Sequence, residues 1–168
     1  FGLTAAWALA IALVGPGAFL ARLGETLRNL GWLGFMFSLL LQGISERGRS
    51  TIVALYMVLV GVALAQIGVD LFVGKVMADA SLTEASFFSI LLLRMTFAVG
   101  ALVLVHNLYL AATPDARWGI RLPMIALAAM WIYDLNLYTI SYLTHRWSIG
   151  LYAGRGVILL LLAPLFAL

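Results

Sequence analysis

Long apolar stretches, separated by short polar segments, recur along the whole sequence and limit what this chain can fold into. Residues 126–143, ALAAMWIYDLNLYTISYL, form such a stretch, with a single charged residue, Asp134. A helix of about this length crosses most of the hydrocarbon core of a bilayer. Of the 168 residues, 64% are hydrophobic and only 10% are charged. Because so few charges cannot cover a water-soluble domain of this size, the sequence predicts an integral membrane protein in contact with a lipid bilayer.

The apolar runs are continuous rather than alternating, which favours membrane helices over the strands of an outer-membrane barrel. We predict an all-α, polytopic helical bundle that forms one domain over residues 1–168. Both ends of the sequence are apolar, so we expect this bundle to be part of a longer chain. Lysines and arginines divide evenly between the two sides of the predicted bundle, which leaves its orientation open. The predicted spans lie near residues 3–20, 27–44, 51–73, 87–111, 120–143 and 150–168.

Charged residues set most of the predicted boundaries. Arg22 and Glu25 are assigned to a short link, residues 21–26, between the first two spans. Arg28 and Trp32 follow at the start of the second span, where basic and aromatic side chains favour the membrane interface. The longest polar connection is predicted at residues 74–86, GKVMADASLTEAS.

Asp134 lies within a span, and an ionised carboxylate in hydrocarbon costs at least a few kcal/mol unless it is paired. At a rise of about 1.5 Å per residue, Asp134 lies roughly 12–15 Å from the side where the fifth span ends. On the same scale Arg94, Arg155 and Asp70 lie about 7–10 Å from that side. We therefore predict an interior polar cluster of Asp134, Arg94 and Arg155, with Asp70 and Tyr138 at its edge. One interpretation of this cluster is a structural set of ion pairs that fixes helix packing. A second is a ligand-sensing pocket or proton-linked switch. In a third, Asp134 is an interface residue whose side chain snorkels to the membrane surface.

Several classes of function are disfavoured by the residues. The sequence has no cysteine, so disulfides and thiolate metal sites are excluded. Its formal net charge is +3, and its charged residues form no block of like sign, so we expect no nucleic-acid partner. His106 and His145 fall at different depths, which argues against a shared haem, and the single lysine, Lys75, lies in a predicted loop rather than in a late helix as retinal requires. We predict no metal site, no cofactor and no catalytic site in these residues. His106 and Asn107 remain as secondary polar positions.

Short motifs follow one another along the second half of the chain. They are Asn107-Leu108-Tyr109; Ala116-Arg117-Trp118 with Arg121; Tyr133-Asp134-Leu135 with Leu137-Tyr138; and Gly154-Arg155-Gly156. With residues 24–40, these stretches resemble the N-terminal membrane region of PrsK-type sensor histidine kinases. That family accompanies the exosortase/PEP-CTERM exopolysaccharide systems of Gram-negative bacteria. One position departs from the family pattern, because His106 stands where a glutamate is expected.

The resemblance implies a cytoplasmic GAF-like and kinase region after Leu168, with the phosphoacceptor histidine outside these residues. It also implies a multi-pass protein of the bacterial inner membrane, with the end of the sixth span in the cytoplasm and the polar cluster in the periplasmic half. The leading hypothesis is therefore a sensor or input module of a two-component histidine kinase that signals through helix packing. The alternatives are a non-catalytic membrane subunit that docks onto a larger complex, and a small transporter or channel. A homodimer or a larger membrane complex is the expected assembly.

Overall fold

Six α-helices and a terminal 3₁₀ turn make up the fold in a computed structural model that describes residues 2–15, 18–43, 46–76 and 80–166. The described residues contain no β-strand, so the all-α prediction is confirmed. The helices are α1 (Gly2–Val14), α2 (Phe19–Gly43), α3 (Glu46–Val76), α4 (Ala80–Ala111), α5 (Pro114–Leu143) and α6 (Ile149–Leu162), and the 3₁₀ turn is Ala163–Phe166.

Most helices extend beyond the predicted apolar spans into the polar segments that flank them. The longest predicted loop, residues 74–86, is largely helical, because α3 ends at Val76 and α4 begins at Ala80. The first predicted span is instead shorter, since the chain leaves the helix at Gly15, whose φ of +84° suits a residue without a Cβ atom. Pro16 and Gly17, which fall within the first predicted span, lie outside the described residues.

Four helices among the described residues are long and apolar enough to cross a membrane. They belong to α3, α4, α5, and α6 together with the 3₁₀ turn. The chain is thus a multi-pass helical membrane protein. Of the six predicted spans, the first corresponds to α1, which has only 13 residues, and the second to α2, which carries Arg22, Glu25 and Arg28 within its first half. α1 and α2 are therefore not among these four helices.

Helices that are neighbours in the chain pack against each other, with α4 between α3 and α5. The apolar core has two parts at different depths. The larger part includes Phe97 of α4 and Trp131 of α5, and the smaller part includes Leu91 of α4 and Leu137 of α5. Because α4 and α5 each pass from one part to the other within two turns, only a thin layer of residues separates the two parts.

Candidate functional site

The layer between the two apolar parts of the core is occupied by a buried ionic cluster. Every member has at most 4% of its surface exposed. The cluster consists of Glu25 and Arg28 of α2, Arg94 of α4, Asp134 and Tyr138 of α5, and Arg155 of α6.

Asp134 lies at the centre of one half of this cluster. Arg155 binds it through both ends of the guanidinium fork, with Nε 2.7 Å from Oδ1 and Nη2 2.7 Å from Oδ2. Arg28 donates a further hydrogen bond from Nη2 to Oδ2 at 2.9 Å. Bidentate, charge-assisted pairs of this kind are among the strongest hydrogen bonds in proteins. The structure thus joins Asp134 to Arg155, as the depth estimates predicted, and adds an arginine from α2.

Glu25 is the second carboxylate of the cluster, and sequence reasoning did not include it. Its side chain pairs with Arg94 and Arg155 and accepts a hydrogen bond from the Tyr138 hydroxyl. The assignment of Arg22 and Glu25 to a link is wrong, because α2 begins at Phe19. The signal that was available is spacing: Glu25 and Arg28 are three residues apart, so both side chains lie on one face of a helix.

The partners of Arg94 and Asp70 differ from the prediction. Arg94 pairs with Glu25 rather than with Asp134, since the nearer carboxylate belongs to α2. Asp70 lies at the edge of the cluster, and its partner is Arg22, with Nε 3.0 Å from Oδ1. Both differences have the same cause, because α2 supplies charged residues that the prediction had placed outside the bundle.

Aromatic rings cover the faces of the arginines. Trp7 of α1 contacts two of them, with its ring centre 4.5 Å from Cζ of Arg28 and 5.1 Å from Cζ of Arg155. The Tyr152 ring lies 5.3 Å from Cζ of Arg155. Such cation–π contacts are worth about 2 kcal/mol or more when they are desolvated. α1 thus contributes to the cluster without a charged residue of its own.

Tyr138 connects the two carboxylates. Its hydroxyl accepts a hydrogen bond from Nη2 of Arg155 at 2.9 Å and donates one to Glu25. Arg155 therefore contacts Asp134, Tyr138 and Glu25 at once. This one side chain therefore joins α6 to α2 and α5.

The two secondary polar positions lie away from the cluster. His106 is exposed and lines a cavity of about 390 Å³ with Tyr109 and Arg121. Asn107 donates a hydrogen bond from Nδ2 to the carbonyl oxygen of Val103, one turn earlier in α4, at 2.7 Å. Within the described ranges, no His, Cys, Asp and Glu side chains group together in a way that would hold a metal ion.

The cluster has the chemistry of an ion-pair network that connects helices. It pairs carboxylates with guanidinium groups, and an arginine does not lose its proton in proteins, so these arginines do not serve as acid–base groups. Comparisons with protein-family models, with curated proteins and with solved structures find no match to this chain.

Proposed function

We propose that this chain is the membrane-embedded input module of a bacterial sensor histidine kinase, and that it signals by a change in the packing of α6. The proposal is supported by the small number of buried contacts that fix α6 against the rest of the bundle. Only Tyr152 and Arg155 of α6 are buried, and Arg155 is the residue that pairs with both carboxylates of the cluster. The position of α6 therefore depends on the charged contacts of Arg155 together with the partly buried packing of Leu159 and Leu162.

Charged contacts suit such a role because a charged side chain can exchange one ion-pair partner for another. A signal that changes the pairing of Asp134 or Glu25 changes what Arg155 binds, and α6 can then adopt a second packing arrangement. A ligand shifts such an equilibrium only by the difference between its affinities for the two states. The kinase class comes from the resemblance to PrsK-type proteins, and so do the catalytic region after Leu168 and the location in the bacterial inner membrane. The assembly that we propose is a homodimer or a larger membrane complex.

Autophosphorylation of the full-length protein in nanodiscs, measured with labelled ATP, tests the proposal. Arg155→Met removes the charged contacts of α6, and a shift of about 1.4 kcal/mol between two packing states changes their ratio tenfold. We therefore expect a several-fold change in the basal rate. Arg146→Met is the matched control, because Arg146 is exposed in the turn before α6. Equal rates for both variants, or a full-length chain without an ATP-binding region, would contradict the proposal.

The second candidate is a non-catalytic subunit of a larger membrane complex. It is favoured by the apolar outer face of α6, where Val157, Leu160 and Leu161 are each more than half exposed. This face would then pack on another membrane protein instead of lipid. Gentle solubilisation followed by native gel electrophoresis tests this candidate, which requires the chain to migrate with stoichiometric partner chains.

A further inference from the structure

The buried ionic cluster contains one more positive charge than negative charges. It contains three guanidinium groups, from Arg28, Arg94 and Arg155, and two carboxylates, from Glu25 and Asp134. The neighbouring pair of Arg22 and Asp70 is neutral and leaves this difference unchanged. An uncompensated charge between two apolar layers is expensive, because burial removes the water that would otherwise stabilise it.

The surplus charge is located on Arg28. Asp134 is already held at both oxygens by Arg155, and Glu25 is held by Arg94 and Arg155. Arg28 uses only Nη2, which donates to Asp134 and to Asn29 Oδ1 at 3.0 Å. Its Nε and Nη1 atoms are buried and have no hydrogen-bond partner among the described residues. A guanidinium group with two unpaired nitrogen atoms retains the capacity to bind an anion.

A cavity adjoins this arginine. Its volume is about 490 Å³, and Arg28 forms part of its wall. The rest of the wall is mostly apolar and comes from α1, α2 and the 3₁₀ turn, with side chains of Leu3, Trp32, Phe35 and Phe166. A second cavity of about 300 Å³ shares Trp32 and Phe166 with it and continues towards α6. Small-molecule sites in proteins typically measure about 300–1,000 Å³, so each cavity has room for a ligand.

The geometry points to a binding site for a single-chain amphiphile with one negative charge, a long-chain fatty-acid carboxylate. The carboxylate accepts a charge-assisted hydrogen bond from Nε or Nη1 of Arg28, because Nη2 already donates to Asp134 and Asn29. The hydrocarbon chain lies in the apolar cavity against Trp32, Phe35 and Phe166. One bound anion makes the ionic cluster neutral. The signalling consequence rests on the proposed function, since such a ligand would change the contacts of the cluster that holds α6.

The test is quenching of tryptophan fluorescence by dibromostearate, titrated into the purified protein in dodecyl maltoside micelles. The measurement is made at about pH 8, where a carboxylic acid is ionised. Trp32 lines the cavity, so we expect saturable quenching that oleate reverses. Methyl oleate, which has no charge, should not compete. Competition by methyl oleate as effective as that by oleate would overturn the proposal.

Two pairs of variants test separately the contribution of the Arg28 charge to binding and that of the space in the cavity. Arg28→Met should weaken binding about tenfold or more, whereas Arg121→Met, at an exposed position, should not. Gly31→Leu should block binding, because Gly31 lines the cavity and a Cβ atom there already meets Leu3. Gly34→Leu is the matched control, since a Cβ atom at Gly34 meets nothing within 4 Å. Unchanged binding by both Arg28→Met and Gly31→Leu would overturn the proposal.

Further measurements identify the source of the anion and distinguish a failure of the fatty-acid site from a failure of the proposed function. Competition by phosphatidylglycerol but not by oleate would assign the site to a phosphodiester headgroup and would overturn the fatty-acid assignment. Arg28→Met leaves both carboxylates paired, and a melting curve in the same micelles checks that this variant folds. If oleate binds but leaves autophosphorylation unchanged, only the proposed function fails. If Arg155→Met changes autophosphorylation and oleate does not bind, only the present inference fails.

Discussion

Replacing Asp134 alone should destabilise the protein more than replacing Asp134 and Arg155 together. Asp134 accepts hydrogen bonds from Arg155 and Arg28, and Asp134→Leu leaves three guanidinium groups facing one carboxylate. Breaking a buried ion pair from one side costs about 3–5 kcal/mol of unfolding free energy. The double variant with Arg155→Met removes one charge of each sign. It should cost about 2 kcal/mol less than Asp134→Leu alone, because Arg155 no longer leaves an unpaired charge, although in both variants Arg28 loses its hydrogen bond to Asp134.

The free energies are measured by equilibrium unfolding in mixed micelles of dodecyl maltoside and SDS, followed by far-UV circular dichroism. The single variant Arg155→Met completes the cycle, and we expect a coupling energy of at least about 2 kcal/mol between the two sites. Asp134→Asn controls for volume, since it keeps the shape of the side chain and loses the charge. Costs that add within about 0.5 kcal/mol would refute the reasoning, because independent sites behave in that way.

The same unfolding assay tests two further features. Glu25→Gln should lower the free energy of unfolding by about 3–5 kcal/mol, because Glu25 is buried and ion-paired. The same change at Glu84, which is exposed, should stay within about 0.5 kcal/mol. Equal losses at the two positions would contradict the burial of Glu25. Gly154→Ala should cost about 1–3 kcal/mol, because the new methyl group meets the Tyr133 hydroxyl, which bonds a carbonyl oxygen of α6. Gly156→Ala, two residues away with open space at its Cβ atom, should cost nothing, and an equal loss at both glycines would argue against this close contact.

The all-α architecture could be predicted from the sequence, because uninterrupted apolar runs admit no other arrangement in lipid. The contact between Asp134 and Arg155 could also be anticipated, since helical rise alone places the two residues at similar depth. Helix ends could not be predicted as well. The structure extends α3, α4 and α5 into polar segments, where composition predicts loops but the backbone continues its own hydrogen bonds.

Glu25 and Arg28 were missed for a single physical reason. Charged residues near an apolar run are typical of interfaces and loops, so Glu25 was placed in a link and Arg28 at the membrane surface. Both are 1% exposed in the structure. Their burial depends on partners in α4, α5 and α6. The three-residue spacing in α2 places both side chains on one face of the helix, but it does not show that this face is buried. A charged residue can be assigned to the interior of a bundle only when its counterion is known.

The ion pair between α2 and α5 has a consequence for how the protein is made. Arg28 and Asp134 are 106 residues apart, and a ribosome adds about 5–20 residues per second, so α5 is synthesised roughly 5–20 s after α2. During that interval α2 has no counterion from α5, and insertion by the translocon costs about 2.5–3.5 kcal/mol for an arginine at the centre of a helix. We therefore expect α2 to be held stably in the bilayer only after α5 has been inserted, so that the second half of the chain completes the integration of the first.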